Sequence, residues 1–404
     1  MSGYLWLVNA SEFHYELPDS AIAKHPLSVR REARLLVRDA DGGLVHTTFE
    51  SLPSCLAGVD GLWANDTKVL HARLMASKPS GGQLEVFLLS PVDALPETAL
   101  ASRGPLIWKA MVRNAKRWNQ GMASVHGTKS SMQIQHVRRD EEGAHEVQLS
   151  WEGAGNLTFG DVLEDLGRTP LPPYMRRPDT DQDKTDYQTV FAMAPGSVAA
   201  PTAGLHYDEV LLDQLEAAGT PLHRLTLHVG AGTFRPLSDG AIEGHNMHAE
   251  RCVFHRETLE TMARQRRRVA TGTTTLRAME SLFWMTVHHK AHGVWPEVLP
   301  QWTPYETKGF DGWTDLDALR HALDHAPWSG DAWSFETQLM ITPSYQVRMV
   351  DGLITNFHQP GSTLLCLISA VVGMEGWKSM YEEALNEGYR FLSYGDGCLL
   401  WCQK

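Results

Sequence analysis

Val269-Ala-Thr271-Gly272-Thr-Thr-Thr275-Leu276-Arg277-Ala-Met-Glu280 passes from three strand-forming residues through a small-residue turn into a helix start. Leu353-Ile-Thr-Asn356-Phe-His358-Gln-Pro-Gly-Ser362 does the same before the apolar run Thr363 to Val372. Between them these stretches decide the fold class: strand-to-helix turns that recur in this way predict an α/β fold with a mainly parallel sheet or barrel. Its site is then expected at the strand carboxyl ends.

Working outward, Asp208 to Ala218 reads as a helix stopped by Gly219 and Pro221, and Glu257 to Arg267 as a second helix. In between, Leu225, Leu227 and Val229 alternate with Thr226 and His228, which puts the polar pair on one face of a strand. Trp377, Met380, Tyr381, Ala384 and Leu385 form the buried stripe of a helix ending at Gly388. From about Arg73 to Trp151 the texture changes. Gln83 to Leu89 alternates, other short alternating runs follow, and no helical period is evident, so a small β domain inserted into the larger one is expected.

The chain has 404 residues, 43% hydrophobic, enough for a large core and for two domains. Five scattered cysteines without a Cys-x-x-Cys pair fit reduced thiols in a cytoplasmic protein. The N-terminus has no basic segment of a secretory signal, and the run Leu364 to Val372 is too short to span a bilayer, so no membrane role is expected. Net charge is −12, which argues against a coat for non-specific nucleic-acid binding. Yet Thr98 to Arg139 lacks Asp and Glu and carries Arg103, Lys109, Arg113, Lys116, Arg117, Lys129, Arg138 and Arg139. That run is either a docking face for a polyanion or an ordinary solvated face.

Chemistry concentrates between Gly196 and Glu250, in Thr202-Ala-Gly-Leu-His206, Leu225-Thr-Leu-His228-Val-Gly230-Ala-Gly232-Thr-Phe and His245-Asn-Met-His248-Ala-Glu250. A metal held by His245, His248 and Glu250 lacks the His-Glu-x-x-His spacing, and Gly230-Ala-Gly232 lacks the third glycine of a dinucleotide loop. Proton transfer by His206, His228 or His248 fits better, although each histidine is as well explained as a buried, hydrogen-bonded one. The turns at Gly272-Thr275 and Ser362-Thr363 offer hydroxyls and helix N-termini to an anion, or serve as plain N-caps. Asp396, between two glycines, is either a ligand-facing carboxylate or a tight turn. Arg176 and Arg177 beside Tyr174 either clamp phosphate with a stacked base or cover a surface loop.

Taken together the motifs resemble the S-adenosylmethionine:tRNA ribosyltransferase-isomerase family of the queuosine pathway. The resemblance rests on Tyr15-Glu-Leu-Pro18, Arg34-Leu-Leu-Val37, Asn65-Asp-Thr67, Ala72-Arg-Leu74, Pro170-Leu-Pro-Pro-Tyr174 and Tyr187-Gln-Thr-Val190. It continues through Ala200 to His206, Thr226 to Phe234, His245 to Glu250, Gly272-Thr-Thr274 with Arg277-Ala278, Leu353 to His358, Ser362 to Leu365, Tyr389-Arg-Phe391 and Ser393 to Asp396. It implies a barrel-like α/β main domain (1–72 and 152–404) interrupted by an inserted Greek-key β-barrel (73–151). It also implies transfer and isomerisation of the ribosyl group of S-adenosylmethionine onto 7-aminomethyl-7-deazaguanine at the tRNA wobble position, giving epoxyqueuosine-tRNA, adenine and methionine, without a metal. On that footing His206, His228, His248, Glu250 and Asp396 are the expected catalytic groups. Thr202, Gly230, Gly232, Thr273, Thr274, Arg277, Asn356, His358 and Ser362 are expected to bind S-adenosylmethionine. Lys109, Arg113, Lys116, Arg117, Tyr174, Arg176 and Arg177 are expected to meet tRNA, and a monomer is expected.

The chain departs from the family pattern at Trp63-Ala-Asn65-Asp-Thr-Lys68, at His71, at Gln359 and in Arg113-Asn-Ala-Lys116-Arg117. Phe283 to Trp333 matches it poorly and is rich in tryptophan. These departures keep two alternatives open: a paralogue using S-adenosylmethionine on another acceptor, and a catalytically inactive RNA-binding relative.

Overall fold

A computed structural model describes residues 8–115, 118, 121–140, 143–230, 237 and 240–403. Its larger layer is a ten-stranded mixed sheet. From one edge to the other the strands are Val298–Leu299, Ala332–Thr337, Glu250–His255, Leu222–His228, Gly61–Asn65, Arg268–Thr271, Gly352–Asn356, Gly397–Trp401, Arg34–Arg38 and Leu44–Thr48.

The four central strands, Leu222–His228 to Gly352–Asn356, run parallel, as the strand-to-helix turns require. Antiparallel pairing begins at Glu250–His255 on one side and Gly397–Trp401 on the other, so the sheet is mixed rather than mainly parallel. The reason lies in the links. Among the described residues, the link from Leu222–His228 to Glu250–His255 carries only the three-residue helix Ile242–Gly244, and an antiparallel neighbour needs no long crossover helix.

The central strands are buried throughout: every residue of Gly61–Asn65, Arg268–Thr271 and Gly352–Asn356 is inside. Helices must then cover both faces. Thr273–His292 buries most of its length, and Thr363–Val372, apolar nearly all round, is mostly buried and packs against Met374–Asn386. Asp208 caps its helix, Glu209–Ala217, by accepting from the Leu211 N–H at 2.9 Å.

The stretch from Arg73 to Gly153 closes into a six-stranded antiparallel barrel. Arg73–Ser77, Gln83–Pro91 and Leu106–Arg113 form a meander, and the next strand, Met122–His126, returns to pair with the first through Ser77 and Ser124. That return is a Greek-key connection. Leu74, Val86, Trp108, Ile134 and Leu149 fill the interior, and the helix Phe159–Leu166 lies against them. A six-residue helix, Pro96–Ala101, sits in this region although no period announces it; it is too short to show one, and only Pro96 at its first turn marks it.

The loop Arg390–Asp396 returns the chain to the sheet under Gly395. An added Cβ there would lie 2.5 Å from the Arg390 carbonyl oxygen, which is backbone and has no rotamer to yield. Gly395→Ala is therefore expected to lower folding stability by about 1–3 kcal/mol, the usual cost of overpacking. Chemical denaturation of the full chain checks this, and an unchanged midpoint would remove the crowding argument.

Candidate functional site

The site is built where Arg268–Thr271 and Gly352–Asn356, paired in parallel, end side by side. Gly272 turns the first strand into its helix at φ 90°, a conformation that suits glycine alone. Neither Gly272 nor Ser362 caps its helix with a side chain. The first-turn N–H groups of both helices thus lack a side-chain cap from the residue before them. Beside them open two adjoining cavities, which share Thr273, Thr274 and Leu364 as a common wall.

Glu250 and Arg277 dominate the first cavity. Arg277 Nη2 donates to Glu250 Oε2 at 2.6 Å, and the Gly230 N–H donates to Oε1 at 3.1 Å. The pair is nearly dry, with Glu250 about 5% and Arg277 about 14% exposed. Arg277 Nε is buried with no hydrogen-bond partner among the described residues, as is Thr274 Oγ1. His245, Asn246, Met247 and His248 form one side, and Leu339 to Ile341 the other. His248 is half-exposed there, and its ring makes no hydrogen bond within the described chain.

The second cavity is lined by Tyr174, Tyr187, Val229, Phe357 and small residues around neutral polar groups. Asn356 is its organiser. Its Nδ2 donates to His206 Nε2 at 3.0 Å and to the Leu392 carbonyl at 3.2 Å, while its Oδ1 accepts from Thr202 Oγ1 at 3.2 Å. An amide nitrogen only donates, so His206 Nε2 accepts and the proton sits on Nδ1. His206 also stacks on Phe49 at 4.2 Å. Burial, then Arg390 and Arg30, push its pKa down to about 3. His358 is likewise pushed to about 3 by burial, with Nε2 2.8 Å from Thr355 Oγ1. Tyr174, bonded to Ser393 Oγ at 2.5 Å, is raised to about 12 by burial. Ser362 Oγ is buried and unpartnered among the described residues.

Other expected site residues are placed elsewhere. His228 lines neither cavity. It is buried against the inserted region, with Nε2 3.4 Å from Glu97, and burial lowers its pKa while Glu97 opposes the shift. Asp396 also lines neither cavity. It accepts from the backbone N–H groups of Arg34 and Arg390 at 3.0 and 2.8 Å and from the Arg390 guanidinium, so it braces the chain rather than serving as an acid or base. Arg177 is held in a two-pronged pair with buried Asp183 at 2.7 and 2.6 Å, and Tyr174 faces the second cavity, so neither offers a surface phosphate clamp.

Arg176 and Arg113 are exposed, the first paired with Asp19 and the second 3.7 Å from Glu85. Lys109 pairs with Asp140 at 3.3 Å. Gly232, Lys116 and Arg117 lie outside the described residues. Sequence reasoning missed Asn246, Tyr187, Ser393 and the wall Leu339 to Ile341. The wall is an apolar run no different in sequence from core.

Comparison with known proteins follows the same outline. A family model described as queuosine biosynthesis protein matches residues 10–400. An S-adenosylmethionine:tRNA ribosyltransferase-isomerase of Anaeromyxobacter sp. (strain Fw109-5) is 36% identical over 397 residues, covering 96% of this chain and 98% of that protein. One of Azoarcus sp. (strain BH72) is 39% identical over 397 residues, with 97% of each covered. The solved structure of an S-adenosylmethionine tRNA ribosyltransferase from Thermotoga maritima is 25% identical over 96% of this chain and 99% of that one, with a TM-score of 0.46.

The buried histidines set a pH dependence. His206 is neutral when folded and gains a proton near pH 6.5 when unfolded, so the unfolded state binds more protons between about pH 6.5 and 3. Its contribution to stability is complete above that window and is lost as pH falls through it, by about 1.4 kcal/mol per pH unit. Unfolding free energy of wild type measured from pH 6 to 4 should therefore fall more steeply than that of His206→Gln. Equal slopes would mean that His206 is not held neutral.

Proposed function

The chain belongs to the queuosine biosynthesis protein family of S-adenosylmethionine:tRNA ribosyltransferase-isomerases, and we propose that it works through the two cavities at the carboxyl ends of its central strands. The reaction is the family's: the ribosyl group of S-adenosylmethionine passes to 7-aminomethyl-7-deazaguanine in tRNA and rearranges to the epoxide of epoxyqueuosine, with adenine and methionine released.

The observation that carries the site assignment is a set of buried polar atoms without partners among the described residues, Arg277 Nε, Thr274 Oγ1 and Ser362 Oγ, which belong to residues lining these cavities. A buried donor left unpaired costs stability unless a ligand engages it. Thr273 and Thr274 then contact S-adenosylmethionine from the shared wall, with Thr202 and Asn356 shaping the second cavity and the turn at Gly230 fixing Glu250.

The chemistry needs a base for the ribose 5′ carbon, whose proton the adjacent sulfonium acidifies. The resulting carbanion attacks the modified base; the ribose opens, adenine leaves, and epoxide closure expels methionine. We assign the proton transfer to His248, since its imidazole lines the first cavity and has no hydrogen-bond partner among the described residues. His206 is a positioning residue instead: its Nε2 lone pair is engaged by Asn356 and burial holds it neutral. Glu250 orients Arg277 and the Gly230 turn. Arg113 and Arg176, exposed and weakly paired, are proposed to meet tRNA phosphates together with Lys109.

Adenine release from S-adenosylmethionine in the presence of tRNA carrying the aminomethyl-deazaguanine base is the direct assay. Wild type should release adenine and form an epoxide nucleoside, and His248→Ala should lose about 10²–10⁴ in kcat with KM little changed. Near-normal turnover by His248→Ala would take the base role from it. Release only with a different acceptor would favour a paralogous substrate.

A further inference from the structure

The two cavities share a wall but differ in charge. The first contains the Glu250–Arg277 ion pair. The second, among the described residues, is lined by no charged side chain: its polar groups are hydroxyls, amides and the neutral His358, set among Tyr174, Tyr187, Phe357 and Val229. S-adenosylmethionine is divided in the same way. One end is a zwitterionic α-amino acid, the other a flat nucleobase, and the sulfonium and ribose lie between. Resting on the function proposed above, we infer that the amino-acid end occupies the Glu250–Arg277 cavity and the adenine the Tyr174–Phe357 cavity, with the sulfonium and ribose crossing the Thr273–Thr274 wall.

Charge decides the orientation. A carboxylate and an ammonium moved into the second cavity would lose water and find no counter-ion, a penalty that favours the other arrangement. In the first cavity each meets its opposite. The guanidinium uses Nη2 on Glu250 and has Nε buried with no partner among the described residues, which is an edge for a second carboxylate. The N-terminus of the helix Thr273–His292 adds its dipole on the same side. The α-ammonium then lies toward Glu250, so that two ion pairs of opposite sense leave no net charge in the cavity. Adenine, neutral and planar, suits the aromatic and small-residue walls of the second cavity. The amide of Asn356 is already committed to Thr202, His206 and Leu392, and among the described residues Ser362 Oγ, Tyr187 Oη and Thr274 Oγ1 are the buried groups of this lining without a partner; Ser362 Oγ is the one assigned to the base edge.

The test compares dissociation constants of the full chain for four probes: S-adenosylmethionine, its decarboxylated analogue, methionine and adenine. Wild type should bind S-adenosylmethionine at least about tenfold tighter than the decarboxylated analogue, and Arg277→Gln should abolish that preference, since a charge-assisted pair is worth about 10–100-fold. Adenine binding should be unchanged in Arg277→Gln, which also reports that the variant is folded, and weakened about 3–10-fold in Ser362→Ala with methionine unaffected. A wild-type preference near one overturns the inference without any variant. So does Arg277→Gln that weakens adenine as much as methionine, or Ser362→Ala that weakens methionine and spares adenine. Failure of the function itself is a separate result, the absence of adenine release by wild type with precursor tRNA, and does not enter these ratios.

Discussion

The Glu250–Arg277 ion pair is the interaction on which the site's geometry depends. It joins three elements that are distant in sequence: the start of Glu250–His255, the second turn of Thr273–His292, and through the Gly230 N–H the turn that follows Leu222–His228. A buried pair of this kind adds little net stability, because desolvation offsets most of the attraction, but removing one partner costs about 3–5 kcal/mol by stranding the other charge. Its value is registration. It ties Arg277 of the helix to the start of Glu250–His255 and to the Gly230 N–H along one side of the first cavity.

The strand that carries Glu250 also meets the inserted region on its other face. Leu222–His228 and Glu250–His255 pair antiparallel with His228 opposite Arg251. Side chains alternate along a strand, so Glu250 points to the cavity and Arg251 to the other face. On that other face Arg251 and His228 both approach Glu97 of the short helix Pro96–Ala101, each at 3.4 Å. One strand pair therefore carries the active cavity in front and the docking of the inserted region behind.

This alternation also marks the limit of what the sequence could disclose. Strand-to-helix turns at Gly272 and Ser362 pointed to the end of the sheet where the two cavities open. The barrel was legible from the break in texture at Arg73. Side-chain direction was not. His228 and His248 look alike as letters in one polar stretch, yet one is buried against Glu97 and the other borders a cavity. Asp396 between glycines reads as a ligand-facing carboxylate until its three donors are seen. Arg177 reads as a surface cation until Asp183, six residues on, is found holding both of its terminal nitrogens.

Charge on the inserted barrel follows the same logic. Thr98 to Arg139 holds no acidic residue, but a β-barrel places neighbours in space that are far apart in sequence. Glu85 lies beside Arg113, Glu146 binds Arg138 at 2.8 Å, and Asp140 lies 3.3 Å from Lys109, each acid coming from outside the basic run. The face is thus moderated rather than uniformly cationic. The three carboxylates are largely shielded while Lys109, Arg113 and Arg138 stay exposed, so each cation keeps a side turned to solvent although its acid holds it from below.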